Sequence, residues 1–167
     1  MNVILACDEQ YGIGMECGLP WNVPEDLRKF KELTKGDGNN IVIMGKNTFN
    51  TFSKPLPGRI NIVVSKTLYH LRIDKQVRGF YIMQTLNDAI EFSKDYVQNK
   101  NGNIWIIGGA QIYDSVFKDY IVKNIYLTKI KGIYKCDVRL HKDTIEHLQS
   151  KKWKTIDTNS SCEFLMS

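Results

Sequence analysis

Four short apolar runs constrain the fold of this chain more than any other feature. They are Val3–Cys7, Ile41–Met44, Ile60–Val64 and Ile104–Ile107, rich in Val and Ile and bounded for the most part by Gly, Asn or Ser. Runs of four or five residues are too short for core helices. A strand that is apolar along nearly its whole length has no face to give to water. Such runs predict strands covered on both faces, as in a parallel sheet.

The covering elements lie between the runs. Pro24–Leu33 places Leu27, Phe30 and Leu33 on one side and opens with Pro24, Glu25 and Asp26, a favourable helix start. Asn87–Val97 repeats the idea with Ala89, Ile90, Phe92 and Tyr96; Ala110–Phe117 and Thr48–Phe52 complete about four predicted helices. Asn124–Ile130 reads as a further strand, and Trp153–Ile156 and Ser161–Met166 as weaker ones near the end. Strand–helix alternation followed by strands alone predicts a mostly parallel α/β sheet with an antiparallel C-terminal strand and helices on both faces. Ligands of such sheets bind outside the carboxyl ends of the strands.

The chain has 167 residues, 43% of them hydrophobic, which suits a single domain over 1–167. Its net charge of +5 is spread along the chain rather than gathered in a patch. That pattern fits a solvated basic surface and small anionic ligands, and argues against nucleic acid as a partner. The cysteines, Cys7, Cys17, Cys136 and Cys162, form no C-x-x-C pair, and there are three histidines, so no metal site is expected. Unpaired thiols fit a reducing compartment. With no basic leader and no apolar stretch of about 18 residues, the expectation is a cytoplasmic protein with no membrane span.

Several segments carry chemistry. Gly12–Trp21 holds three glycines and a proline in ten residues, a pattern that predicts an irregular loop, either a lid or a plain surface connection. Asp26 follows it in the first turn of a helix among Trp21, Val23, Leu27 and Phe30. It is either a carboxylate favoured by the helix dipole or one that holds a cationic or amidine-like ring and assists proton transfer. Ile106–Tyr113 is a strand ending in Gly108-Gly109 before a helix, where backbone N–H groups can approach a phosphate. Gly45-Lys46-Asn47-Thr48 and Ser65-Lys66-Thr67 bring cations and hydroxyls to two other strand ends. Neither G-x-G-x-x-G nor a P-loop is present, and no G-x-S-x-G elbow occurs.

Taken together, these segments resemble the dihydrofolate reductases. The matching pieces are Ile13-Gly14 with Leu19-Pro20-Trp21, Pro24-x-Asp26-Leu27 with Phe30-Lys31 and Thr34, and Val42-Ile43-Met44-Gly45-Lys46-x-Thr48-Phe49. They continue with Pro55-Leu56-Pro57-Gly58-Arg59 and Asn61, Ile107-Gly108-Gly109 with Tyr113, and Tyr126-Leu127-Thr128. Six pieces fall in family order from about Val3 to Ile130.

The resemblance implies an eight-stranded, mostly parallel sheet and NADPH-dependent reduction of dihydrofolate to tetrahydrofolate, a step open to antifolate inhibitors. It implies that Asp26 holds the pterin and promotes N5 protonation, supported by Thr128, with Trp21 and Tyr113 in the catalytic neighbourhood. Ile4, Ala6, Leu27, Phe30 and Ile107 become pocket walls, and Arg59 the guanidinium that grips a glutamate carboxylate. The cofactor side takes Ala6, Ile13, Leu19, Gly45, Lys46, Thr48, Ser65, Lys66, Gly108, Gly109, Gln111 and Tyr113, with Lys46 and Lys66 favouring a 2′-phosphate.

Gln111 stands where some relatives carry a cation. Asp137 resembles an acidic turn of the family, but Arg139-Leu140-His141 fits the pattern poorly. A monomer without a thymidylate synthase portion is expected. The alternatives are a riboflavin-pathway reductase of the same architecture and a non-catalytic nucleotide-binding or structural relative.

Overall fold

The computed structural model describes the chain apart from residues 17, 72–75 and 78, so Cys17 lies outside the described residues. In chain order the elements are β1 (Asn2–Cys7), β2 (Gly12–Gly14), α1 (Pro24–Lys35), β3 (Asn40–Gly45), α2 (Lys46–Asn50), β4 (Arg59–Val64), α3 (Lys66–Leu71), β5 (Gln76–Val77) and β6 (Phe80–Met83). They continue with α4 (Leu86–Lys100), β7 (Ile104–Ile106), α5 (Ala110–Asp119), β8 (Asn124–Ile130), β9 (Val138–Arg139), α6 (Lys142–Gln149), β10 (Lys154–Thr158) and β11 (Cys162–Met166).

One sheet runs β10-β11-β8-β1-β7-β3-β4-β6-β5. The strands from β8 to β6 are mutually parallel, while β11 pairs antiparallel with β8. The mostly parallel sheet with an antiparallel C-terminal strand is therefore present. It has nine strands, or the expected eight when the two-residue edge strand β5 is set aside. The described helices number six rather than about four, the additional ones being α3 and α6.

The apolar runs behave as period-2 strands between two cores. Val3, Leu5, Ile41, Ile43, Ile62 and Ile106 pack with Ala89 and Ile90 of α4 and Tyr113 and Val116 of α5. Their neighbours Ile4, Val42, Met44, Val63, Trp105 and Ile107 face the other way, towards Phe30 and Leu33 of α1 and Phe49 of α2. Alternate side chains thus need a helix on each side, and burial of each such Ile or Val stabilises the fold by about 1.5–3 kcal/mol. From β1 the chain moves through α1 to β3 on one side; from β7 it moves through α5 to β8 on the other. That reversal opens a crevice at the carboxyl ends, where sheets of this kind bind ligands.

The Gly12–Trp21 segment is more regular than expected. β2 pairs antiparallel with β9, and Met15 bridges Gly18. Gly12 permits this approach, since a Cβ there would lie 2.3 Å from the sulfur of Cys136. The required partner strand, Val138–Arg139, is too short and too exposed to show an alternating pattern.

Candidate functional site

Asp26 is carried into the crevice by α1. Pro24 starts the helix and the Asp26 N–H donates to the Val23 carbonyl at 3.0 Å, so the carboxylate falls in the first turn. Its residue is buried, 7% exposed. Burial raises its pKa, and a hydrogen bond from the Thr128 side chain partly opposes the rise. Thr128 comes from β8, where it lies beside Ala6 of β1 and Phe164 of β11. Ile4, Phe30 and Thr128 line a small cavity on the same face of the sheet. Leu27 of α1 is 52% exposed, and Leu19 in the Gly12–Trp21 segment is also exposed.

Trp21 packs edge-on against Tyr134 at 5.7 Å, and its indole Nε1 is buried without an acceptor among the described residues. A buried donor in that state is one that a polar ligand atom would satisfy.

Arg59 opens β4 on the far side of α1. Asn61 shapes the preceding loop, accepting from Leu56 N–H at 2.9 Å and donating to the Leu56 and Arg59 carbonyls. The guanidinium donates through Nη1 to the Thr34 hydroxyl at 2.7 Å and through Nε to the Pro57 carbonyl at 3.2 Å. Partial burial lowers its pKa without neutralising it, and donors remain for a carboxylate.

The strand ends on the other side of β1 form the second half. Gly108 follows β7 with φ +103°, and its peptide to Gly109 is cis. A Cβ at Gly108 would lie 2.8 Å from the Tyr113 hydroxyl, so only glycine fits. The Gly45 N–H donates to the Gly108 carbonyl at 2.7 Å, locking the ends of β3 and β7 together. Gly109 caps α5, and the N–H groups of Ile112 and Tyr113 donate to its carbonyl. The N–H groups before them have no intrahelical acceptor, as at any helix start.

Lys46 and Lys66 are exposed, one and two residues past the adjacent strands β3 and β4, whose last pair is Gly45–Val64. Thr48 Oγ1 lies near Gly109, and Ser65 accepts from the Leu68 N–H at the start of α3. Gln111 is exposed in the first turn of α5, and Ile13 lies half-buried in β2.

Tyr113 takes a supporting position. Its hydroxyl donates to the Ile4 carbonyl at 2.9 Å, bracing α5 against β1. Burial, with the charges of Asp26 and Cys7 behind it, pushes the phenol pKa far up, so the hydroxyl stays a neutral donor.

Asp8 belongs to none of the sequence motifs, yet it is a functional element of the site's frame. It directly follows β1, is 2% exposed, and accepts from the N–H groups of Gly12 at 2.8 Å, Gln10 at 2.9 Å and Tyr134 at 2.9 Å. Burial alone would raise its pKa, but these donors and the charge of Arg139 bring it below the usual carboxylate value. An aspartate placed between a strand and a turn was the available signal. Among the described residues no group of acidic, His or Cys side chains could hold a metal, and no helix is long and apolar enough to cross a membrane.

An open parallel sheet with a glycine turn at one strand end and a buried carboxylate beside it defines an α/β protein that binds small ligands in a crevice. The family model for dihydrofolate reductase matches residues 1–164. A dihydrofolate reductase of Drosophila melanogaster is 34% identical over 143 residues, covering 81% of this chain and 76% of that protein. A bifunctional dihydrofolate reductase-thymidylate synthase of Paramecium tetraurelia is 34% identical over 152 residues, 90% of this chain; the match spans only 30% of that longer protein. The fold is also that of the Enterococcus faecalis dihydrofolate reductase, solved with NADP(H) and RAB-propyl. The TM-score is 0.76 at 24% identity, over 99% of this chain and 93% of that one. The chain belongs to the dihydrofolate reductase family.

Proposed function

We propose that the chain reduces 7,8-dihydrofolate to 5,6,7,8-tetrahydrofolate with NADPH, placing hydride on C6 and a proton on N5. The observation that carries this reading is Asp26, a buried carboxylate with raised pKa and one side-chain partner, Thr128, in an otherwise apolar crevice. A pterin presents an amidine-like edge of parallel N–H donors, which a carboxylate accepts in bidentate fashion. Ile4, Ala6, Phe30 and Ile107 supply apolar walls for its ring, and Leu27 and Leu19, both exposed, supply apolar surface at the rim. Arg59 receives the glutamate carboxylate of the same ligand.

The chain's glycine cradle and its basic strand ends fit a phosphorylated dinucleotide. Gly108 and Gly109 at the start of α5 offer backbone and dipole to a pyrophosphate. Lys46, Lys66, Thr48 and Ser65 offer charge and hydroxyls to a 2′-phosphate; Gln111 adds an amide and no charge. Gly45 lets the dinucleotide approach the end of β3, and Tyr113 braces that wall through Ile4. When bound, NADPH supplies the hydride from its nicotinamide C4.

Asp26 acts on protonation through its charge and its hydrogen bonds to the pterin, and a water carries the proton to N5. Trp21, with Ile13 and Leu19 in the lid, excludes bulk water and holds the rings together. We read residues 1–167 as one domain, active as a monomer in the cytoplasm. The continuous sheet and the free thiols of Cys7, Cys136 and Cys162 support that reading.

The test is loss of NADPH absorbance on mixing protein, NADPH and dihydrofolate, abolished by methotrexate. No loss overturns the assignment and directs the search to another pyrimidine or pteridine, or to a non-catalytic role. Within the same assay, Arg59→Ala raises the KM for dihydrofolate by about 10- to 100-fold, the loss of a charge-assisted hydrogen bond. The KM for NADPH stays near its original value; equal losses remove the role given to Arg59.

A further inference from the structure

Helix α6 joins the two halves of the site through residues that neither half uses. Its first residues follow β9 directly, and β9 is the partner strand of the lid strand β2. The Leu140 N–H donates to the Tyr11 carbonyl at 2.9 Å, at the root of the lid, where Tyr11 has φ +59°. Gln149 at the other end of α6 donates to the Tyr11 hydroxyl at 3.1 Å. Asp137, just before β9, accepts from the Glu16 N–H at 3.0 Å. The segment from Asp137 to Gln149 therefore holds the lid from behind.

This segment is anchored on α5. Asp114 projects one carboxylate oxygen to Nδ1 of His141 and the other to the hydroxyl of Thr144. His141 is the residue before α6, and it makes no side-chain cap of its own; Thr144 is fully buried in the first turn. A carboxylate from a neighbouring helix thus sits at the positive end of α6, where charge and dipole attract. Asp114 is also one residue past Tyr113, on the helix whose first turn is Gly109-Ala110.

We propose that Asp114 is a positioning residue that registers the lid against the glycine turn. One rigid helix, α5, carries the dinucleotide turn at its start and the anchor for α6 one turn later. Through His141 and Thr144 it fixes where β9, and hence Gly12–Glu16, stands relative to Gly108-Gly109. The inference rests on the proposed reductase function for its catalytic consequence, but not for its structural one. The signal in the sequence is the His141 that fits the family pattern poorly: it is the residue that Asp114 engages.

The test compares wild type with Asp114→Ala, Asp114→Asn and a control, Ile90→Val, which loosens the core under α4, a helix whose main neighbours are β3, β4, β6 and β7. Amide hydrogen exchange of the peptide covering residues 10–16, without ligand, speeds up by about threefold to tenfold in Asp114→Ala and less in Asp114→Asn. In Ile90→Val it stays at the wild-type rate at a temperature where all four proteins are folded. In steady state, Asp114→Ala raises the KM for NADPH by about threefold to tenfold, while the KM for dihydrofolate moves less than about twofold. Lid exchange equal to that of Ile90→Val, or equal changes in both KM values, overturns the proposal. Should the wild type fail to oxidise NADPH with dihydrofolate, the function falls and the exchange comparison alone decides the positioning role.

Discussion

Asp8 and Asp26 are two buried carboxylates near the end of the same strand, and their pKa values move in opposite directions. Asp8 is surrounded by backbone donors from Gly12, Gln10 and Tyr134, and it is held ionised. Asp26 has Thr128 and an apolar surround, and its proton is held more tightly than usual. Both have little exposed surface, 2% and 7%, but Asp26 lies deeper in the protein and loses more hydration than Asp8. Depth and the number of donors together set whether a buried carboxylate ties a fold together or stays available to a ligand. Asp8 secures the turn before β2 to the Gly132–Cys136 loop. Asp26 is left short of partners, as a group reserved for a ligand is.

The contrast is tested most sharply at Asp26. Replacing it by Asn reduces hydride turnover at neutral pH by about 100-fold or more, with partial recovery in acid where substrate is already protonated. A kcat–pH profile that keeps its wild-type shape removes Asp26 from the chemistry. At Asp8 the same substitution acts on stability instead. Asp8→Asn costs about 2–3 kcal/mol at neutral pH through weakened charge-assisted bonds, read from urea unfolding. Because the folded pKa is depressed, the contribution is present above the unfolded value near 3.9 and is lost as pH falls through the folded one. The cost of Asp8→Asn therefore shrinks in acid, and a cost independent of pH contradicts the assignment.

Thr128→Val removes the side-chain hydrogen bond that pulls the Asp26 pKa down, so the acid limb of the activity profile moves upward. No movement shows that Thr128 is only packing. The smallest effect is on stability at Asp26. Its raised folded pKa favours the protonated form: that contribution is full below the unfolded value and is lost as pH rises through the folded value. Asp26→Asn therefore stabilises the protein at neutral pH, by about 0.5–1 kcal/mol, and the gain fades in acid. A variant that is less stable than wild type at neutral pH would place Asp26 in the same class as Asp8.

The family assignment was legible from six ordered segments, and the sheet from the apolar runs themselves. The strands they predict are present with boundaries moved by a residue or so: Val3–Cys7 became Asn2–Cys7 and Ile104–Ile107 became Ile104–Ile106. Short elements carry no comparable signal: α6 has one apolar pair, β6 four residues and β9 two. Their identity depends on a partner elsewhere in the chain, so no local period reports it.

By itself the sequence determined the layered sheet, since an apolar run of four or five residues can be satisfied only between two helical covers. It also determined the candidates for chemistry, because glycines and lysines stand at strand ends and Asp26 in the first turn of a helix whatever the tertiary detail. Only the tertiary structure decided what each carboxylate does. Asp8 meets the Tyr134 N–H, 126 residues away, and Asp114 meets His141 and Thr144 on another helix. Charge state in an interior is set by the donors that arrive from distant parts of the chain, and no spacing along the sequence counts them.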